Sequence, residues 1–173
     1  GNIPYNITSP LIDKALRPPR APRVVFLVQR EVADRVAAPP GSDACGALSV
    51  GVQAVARAER LFTVARGAFQ PPPKVESAVL RLTPLAQPLV RDARVPAFRR
   101  LVVGLFGFRR KQLLRGLREL TGWPPERLQV LLDPDARVWR SVPAQAIALA
   151  GAPSALQPTA AVRAAFPEGS IGA

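Results

Sequence analysis

Short apolar runs alternate along this chain with polar, proline-rich breaks, and the spacing of the apolar positions predicts most of its elements. Residues 6–16 read as a helix, with Thr8 or Ser9 as N-cap, Pro10 in the first turn, and Leu11, Ile12 and Leu16 on the apolar face. A Pro/Arg loop follows over 17–23. The unbroken run Val24, Val25, Phe26, Leu27 and Val28 has strand length and suits a strand covered on both faces. Val32 and Val36 give residues 29–38 a helical period that Pro39, Pro40 and Gly41 stop, and Leu48, Val52 and Val55 do the same for 48–58. Residues 60–65 read as another strand. Alternation then marks a further strand over 75–82, with Val75, Ser77, Val79 and Arg81 on one face and Glu76, Ala78, Leu80 and Leu82 on the other. Pro71, Pro72 and Pro73 make the approach to it stiff and extended, which fixes where Phe69 sits.

After Pro84 the pattern is helical almost throughout 95–150, broken at Gly107, at Trp123-Pro124-Pro125 and at Asp133-Pro134. Over 109–121, Leu113, Leu114, Leu117 and Leu120 make one face, and Lys111, Arg115 and Arg118 lie on another, headed by Arg109 and Arg110. Pro124 and Pro125 open a short helix with Leu128, Leu131 and Leu132, and Ser141 can cap a last one through Ile147 and Leu149. Beyond 153 the periodicity is weak. The pattern divides the chain into an α/β part over 1–84, a small all-α part over 85–152 and a loose tail over 153–173.

Charge changes this picture most. The formal net charge is +12, and arginine supplies nearly all of the positive side, the lysines being Lys14, Lys74 and Lys111. Such an excess favours a polyanionic partner, and the planar guanidinium suits phosphates and base faces. With no histidine and the single Cys45, zinc sites, His-dependent triads and an internal disulfide all drop out, and no metal is expected. No apolar run approaches the roughly 20 residues that span a bilayer. No charged-then-apolar leader is present either, so a cytoplasmic protein with no membrane partner is expected. The chain contains no methionine and opens directly on its most informative motif, so it reads as a fragment whose upstream portion is missing.

That motif is Asn2-Ile3-Pro4-Tyr5-Asn6-Ile7. Asn2 offers a side-chain carbonyl acceptor, Pro4 fixes φ so that its own carbonyl points one way, and Tyr5 offers a flat face for a ring. A base displaced from its stack is read in this manner, by hydrogen bonds to its edge and by aromatic sandwiching. The same residues also make an ordinary turn with Tyr5 as a half-buried anchor, and the basic stripe is also an ordinary solvated helix face.

Asn2 to Ile7, then 69–82 with its Pro-Pro-Pro-Lys-Val-Glu-Ser-Ala-Val stretch, then Phe106-Gly107-Phe108-Arg109-Arg110-Lys111 together resemble the ribosomal RNA adenine dimethyltransferase family. Leu27-Val28-Gln29-Arg30-Glu31-Val32 and Gly46-Ala47-Leu48-Ser49-Val50 resemble further family segments, in the expected order. Arg137 with Ser141 is similar to the C-terminal signature, although Val138-Trp139-Arg140 replace the usual acidic residues between them. The resemblance covers roughly residues 1–150. It implies the C-terminal part of a Rossmann-like, S-adenosylmethionine-dependent methyltransferase domain followed by a small all-α domain. Asn2, Pro4, Tyr5 and Phe69 would then be the catalytic residues. Asn2 would also touch the methyl donor, most of whose site is missing because no Gly-x-Gly cluster follows a strand here. Arg109, Arg110, Lys111 and Arg115 would bind RNA. The expected partner is small-subunit rRNA, or a precursor of the 30S subunit, met by a monomer. A non-catalytic RNA-binding remnant, a large-subunit enzyme of the antibiotic-resistance type and a DNA-binding helix-turn-helix over 95–121 are the alternatives.

Overall fold

Three strands, β1 (Val24–Gln29), β2 (Ala56–Val64) and β3 (Ser77–Pro84), form a sheet in the order β1–β3–β2 in a computed structural model of the chain, which describes residues 1–108 and 113–126. β3 is antiparallel to both neighbours. Val24 pairs with Leu82 and Gln29 with Ser77 on one side; on the other, Ala56 pairs with Pro84 and Val64 with Ser77, with a bulge between Arg60 and Phe62. The far edge of β1 is taken by residues 1–3, which run parallel to it. The Leu27 N–H donates to the Gly1 carbonyl at 3.0 Å, and the Ile3 N–H donates to the Leu27 carbonyl at 3.4 Å.

Five helices complete the described fold: α1 (Thr8–Ala15), α2 (Arg30–Val36), α3 (Ala47–Gln53), α4 (Val95–Gly107) and α5 (Leu113–Thr121). Ala78, Leu80 and Leu82 alternate along β3 and are fully buried, as their spacing predicts. One apolar cluster runs from these residues through Val36 and Val52 to Phe98 and Leu105 on α4 and to Leu113 and Leu117 on α5. The 85–94 connection is strapped to it, because the N–H groups of Leu85 and Leu89 donate to the carbonyls of Val55 and Ala54 at 3.0 and 2.9 Å. On α5 the leucine face is inward, and Arg115 and Arg118 are exposed. Gly122 ends that helix at φ +67°, a conformation that side chains with a Cβ resist.

Four expectations need correction. β1 is covered on one face only: Val25 is 42% exposed, as is Phe62 at 57% on the same side of β2. Helix α3 stops at Gln53 and β2 begins at Ala56, four residues earlier than the apolar spacing suggests. Val55 and Ala56 serve equally well in a helix or a strand, and the pairing of Ala56 with Pro84 decides for the strand. The cap of α1 is Ile7, with no side-chain bond. The Thr8 hydroxyl instead bonds backward, to the carbonyls of Pro4 and Tyr5 at 3.3 and 3.2 Å. The predicted start of the last described helix at 109, the short helix through Leu132, the helix after Ser141 with Arg137, and the tail over 153–173 lie outside the described residues.

Two ion pairs tie α1 to the helical part. Asp13 meets Arg99 of α4 where both side chains are mostly buried, at 18% and 13% exposure. Arg99 packs over Gly51 of α3, where a Cβ would stand in ordinary van der Waals contact, 3.7 Å from Arg99 Cγ. Burial lowers the Arg99 pKa to about 10, so it stays charged at neutral pH, and its Nε finds no acceptor among the described residues. Arg20, just beyond α1, forks onto both oxygens of Asp92 and gives its Nε–H to the Leu16 carbonyl at 2.8 Å. That hydrogen-bonded fork holds the Asp92 carboxyl below its ordinary pKa.

Replacing Asp13 by Ala strands a buried guanidinium, so the urea midpoint should fall by an amount equivalent to about 3–5 kcal/mol. The double change Asp13→Leu with Arg99→Met should recover most of it, and a double as unstable as the single would refute the pairing. Because the folded-state pKa of Asp92 is depressed, its stabilisation is present above about pH 4 and is lost as the pH falls through the folded value. Asp92→Asn should therefore flatten the acid limb of the stability profile below that pH, read from thermal midpoints at stepped pH.

Candidate functional site

The first three residues end their pairing with β1 at its carboxyl end, where α/β sheets bind ligands. Pro4, at φ −58° and ψ 137°, turns the chain away from the sheet into a 3-10 turn over Tyr5–Ile7. A second 3-10 turn, Arg66–Ala68, follows β2 and presents Phe69. These two turns and the proline segment enclose an open cleft of about 300 Å³, lined by Asn2, Ile3, Pro4, Tyr5, Phe69, Pro71 and Pro73. The fold thus brings Asn2, Pro4, Tyr5 and Phe69 to one place from opposite ends of the α/β part.

Each of these groups is set by a specific neighbour. The Tyr5 hydroxyl and Ser77 Oγ share a hydrogen bond of 2.8 Å, and Ser77 is fully buried at the head of β3. The phenol is anchored at its tip, and its ring face borders the cleft. The Asn2 side chain is exposed and makes no hydrogen bond among the described residues, so its acceptor oxygen is available. The Pro4 carbonyl, expected to act as the second acceptor, already receives the Ile7 N–H and the Thr8 hydroxyl, each at 3.3 Å. The Thr8 proton is shared with the Tyr5 carbonyl, so the Pro4 oxygen is engaged mainly by the N–H of its own turn. One residue back, the Ile3 carbonyl accepts no hydrogen bond among the described residues and borders the same cleft. The ring of Pro4 restricts Ile3 to extended conformations and so aims that carbonyl.

Ile3, Pro71, Pro73 and Ser77 are the members that sequence reasoning missed. The prolines read as a stiff approach, yet Pro71 and Pro73 are themselves the wall. Ser77 was visible as the polar residue of its strand face, and only the register shows that it meets Tyr5. Arg115 lies on the exposed side of α5 rather than at the cleft, and Arg109, Arg110 and Lys111 lie outside the described residues.

A larger concavity of about 770 Å³ lies between α2 and the loop before α3. Ion pairs engage most of its charges: Arg30 pairs with Glu76 at 2.6 Å, Arg35 with Glu31 at 2.5 Å, and Asp34 with Arg60, outside the lining, at 2.7 Å, while Asp43 adds a further acid. Among the described residues no cluster of His, Cys, Asp and Glu could hold a metal, and no helix is long and apolar enough to cross a membrane. Nor do these residues form a cradle for S-adenosylmethionine. Among the described residues lining the cleft, only Asn2 and Tyr5 carry polar side-chain groups, that of Tyr5 being bonded to Ser77, and no glycine-rich turn follows a strand to receive an amino-acid or ribose group. The cleft fits a flat ring with a hydrogen-bonding edge.

A strand end bearing Asn-Ile-Pro-Tyr, beside a sheet that closes on an antiparallel strand, is the C-terminal part of a Rossmann-like methyltransferase fold. The structure superposes on a dimethyladenosine transferase from Plasmodium falciparum with a TM-score of 0.62 at 29% identity, covering 75% of this chain and 45% of that one. It also superposes on the 23S rRNA methyltransferase ErmE, with a TM-score of 0.63 at 27% identity, covering 87% of this chain and 62% of that one. Residues 1–146 match the ribosomal RNA adenine dimethylase family, and the chain belongs to it. It is 46% identical over 145 residues to ribosomal RNA small subunit methyltransferase A of Synechococcus sp. (strain JA-3-3Ab), across 79% of this chain and 51% of that protein. The same protein of Bordetella pertussis (strain Tohama I) is 44% identical over 156 residues, across 88% of this chain and 57% of the relative. The chain spans about half the length of these curated relatives.

Since Tyr5 is the single tyrosine, fluorotyrosine gives one resonance that reports on the cleft wall. Ser77→Ala should shift and narrow that resonance and lower stability by about 1 kcal/mol. An unchanged resonance would show that the hydroxyl contact does not hold the ring.

Proposed function

We propose that this chain is the target-adenine side of an rRNA adenine N6,N6-dimethyltransferase that acts on small-subunit rRNA, in the 30S subunit or its precursor, as a cytoplasmic monomer. The observation that carries the reading is the convergence of Asn2, Tyr5 and Phe69 on one ring-sized cleft. S-adenosylmethionine supplies the methyl group in this reading, and its cradle is not formed by the residues described.

Adenine's exocyclic amine is a poor nucleophile because its lone pair is delocalised into the ring. Two acceptors on its N–H groups favour a more pyramidal, reactive nitrogen and aim its lone pair. The Asn2 side-chain oxygen is one, and we assign the second to the Ile3 carbonyl, since that of Pro4 is engaged in the turn. Tyr5 and Phe69 hold the purine between them, so orientation is set before the reaction begins. Fixed dipoles of this kind supply several kcal/mol without a dedicated base, in keeping with a chain that has no histidine. Arg109, Arg110, Lys111 and Arg115, in the helical part over 85–152, would hold RNA phosphates. A large-subunit target is the second reading, favoured by the similarity to ErmE.

The test is a chimera in which this chain replaces the matching part of the Bordetella pertussis protein, assayed with labelled S-adenosylmethionine. Methylation of small-subunit rRNA is expected, and Asn2→Ala should lower it at least about a hundredfold while RNA binding holds. Full activity in Asn2→Ala would reject the amine-gripping role. A preference for 23S rRNA would select the second reading, and tighter binding to duplex DNA than to structured RNA at matched salt would reject both.

A further inference from the structure

The 65–76 connection carries more than Phe69. It leaves β2, forms one wall of the cleft through Phe69, Pro71 and Pro73, and returns to β3. A cation stands at each end of that wall. Arg66 precedes Phe69 by three residues, and Lys74 directly follows Pro73; both are exposed. The Arg66 guanidinium donates to the Lys74 carbonyl at 3.4 Å, so the two ends of the wall are drawn together at its neck.

Neither charge is compensated. Glu76, two residues after Lys74, is committed to Arg30. Among the described residues Arg66 and Lys74 have no carboxylate partner. Two exposed cations flanking the proline wall raise the positive potential at the mouth of the cleft, which favours a polyanion there.

We propose that Arg66 and Lys74 form a phosphate-binding rim that grips the RNA strand on either side of the nucleotide whose base enters the cleft. This rests on the adenine-binding reading above and adds a second RNA contact, distinct from the basic stripe of the helical part. A nucleotide turned out of its stack draws its two flanking phosphates toward the mouth of the pocket that receives it. Cations at that mouth offset the unstacking cost and select a single-stranded or looped segment without reading its sequence.

The experiment uses the full 173-residue chain and a hairpin RNA with 2-aminopurine placed beside one loop adenine. Binding is measured by anisotropy across a salt series, and the 2-aminopurine signal reports loss of stacking as the neighbouring adenine enters the cleft. The double change Arg66→Ala with Lys74→Ala should weaken binding about tenfold and reduce the salt slope by about 1.4, two single-strand phosphate contacts. Arg17→Ala with Arg91→Ala, which removes the same charge from exposed positions at the far end of α1 and in the 85–94 connection, should do neither to that extent. Arg66→Lys with Lys74→Arg should retain the slope. Lys74→Ala alone, which keeps the Arg66 bond to the backbone, should lose about half the effect. If the wild-type chain gives a 2-aminopurine signal that Tyr5→Ala and Phe69→Ala abolish, yet the rim double matches the Arg17 and Arg91 control, the rim is wrong and the adenine-binding reading survives. If the wild-type chain gives no such signal, both are rejected together.

Discussion

The seating of β3 between β1 and β2 is the constraint on which the cleft depends. One rung of the sheet, Gln29 opposite Ser77 opposite Val64, sets three things at once. It ends β1 beside the segment that begins with Asn2, ends β2 just before the turn that presents Phe69, and places Ser77 under the hydroxyl of Tyr5. A slip of one residue along β3 would turn Ser77 to the opposite face and send Ala78, Leu80 and Leu82 out of the core. The apolar residues that hold the sheet on its helices therefore also hold the two aromatic walls in register. No separate device is needed to align them.

The two faces of that sheet are built differently. One is dry, with Val28, Leu80 and Leu82 fully buried beneath the helices. The other carries Val25 and Phe62 in the open, and between them Arg81 forks onto Glu59 with both bonds at 3.0 Å. A half-buried fork that water still reaches adds little to stability. Its effect is on register, since it links β2 to β3 at the rung beyond the bulge, where the pairing is most easily shifted.

Much of this was legible in the residues. The alternation of β3 separated its two faces, and four of the seven residues lining the cleft, Asn2, Pro4, Tyr5 and Phe69, were singled out before any geometry was known. What stayed hidden were relations across the chain. A run such as 24–28 reads as doubly covered because its side chains are apolar on both sides, while coverage depends on which other elements reach that face. The boundary between α3 and β2 passes through Val55 and Ala56, residues that serve either state, and was decided by pairing with Pro84. The Pro4 carbonyl looked available because proline directs it. Whether a directed oxygen is also unoccupied depends on Thr8, four residues on, whose spacing suggested a cap and whose hydroxyl instead turns back.

Helix α1 links the cleft to the helical part. It begins one residue after the Tyr5–Ile7 turn, so any rotation of the helix moves the turn, and with it the ring of Tyr5 and the carbonyl beside Pro4. Leu11, Ile12 and Leu16 pack it onto the apolar core, and two ion pairs lead from it toward the helical part: Asp13 to Arg99 and, just past its end, Arg20 to Asp92. The two pairs have opposite polarity across the seam, acid to base and then base to acid. That arrangement accepts one alignment of α1 against α4 and penalises the others by placing like charges together, which apolar packing alone would not do. A buried pair contributes little net stability compared with apolar groups of the same size, but it discriminates sharply between alignments because a mismatched charge is so costly. Phosphates bound on the basic side of α5 would thus act on a body that cannot swing independently of the cleft. On the proposed reading, RNA held there would keep one relation to the place where its adenine is received, a relation set by the shared apolar core and given its alignment by charges that lie outside the cleft.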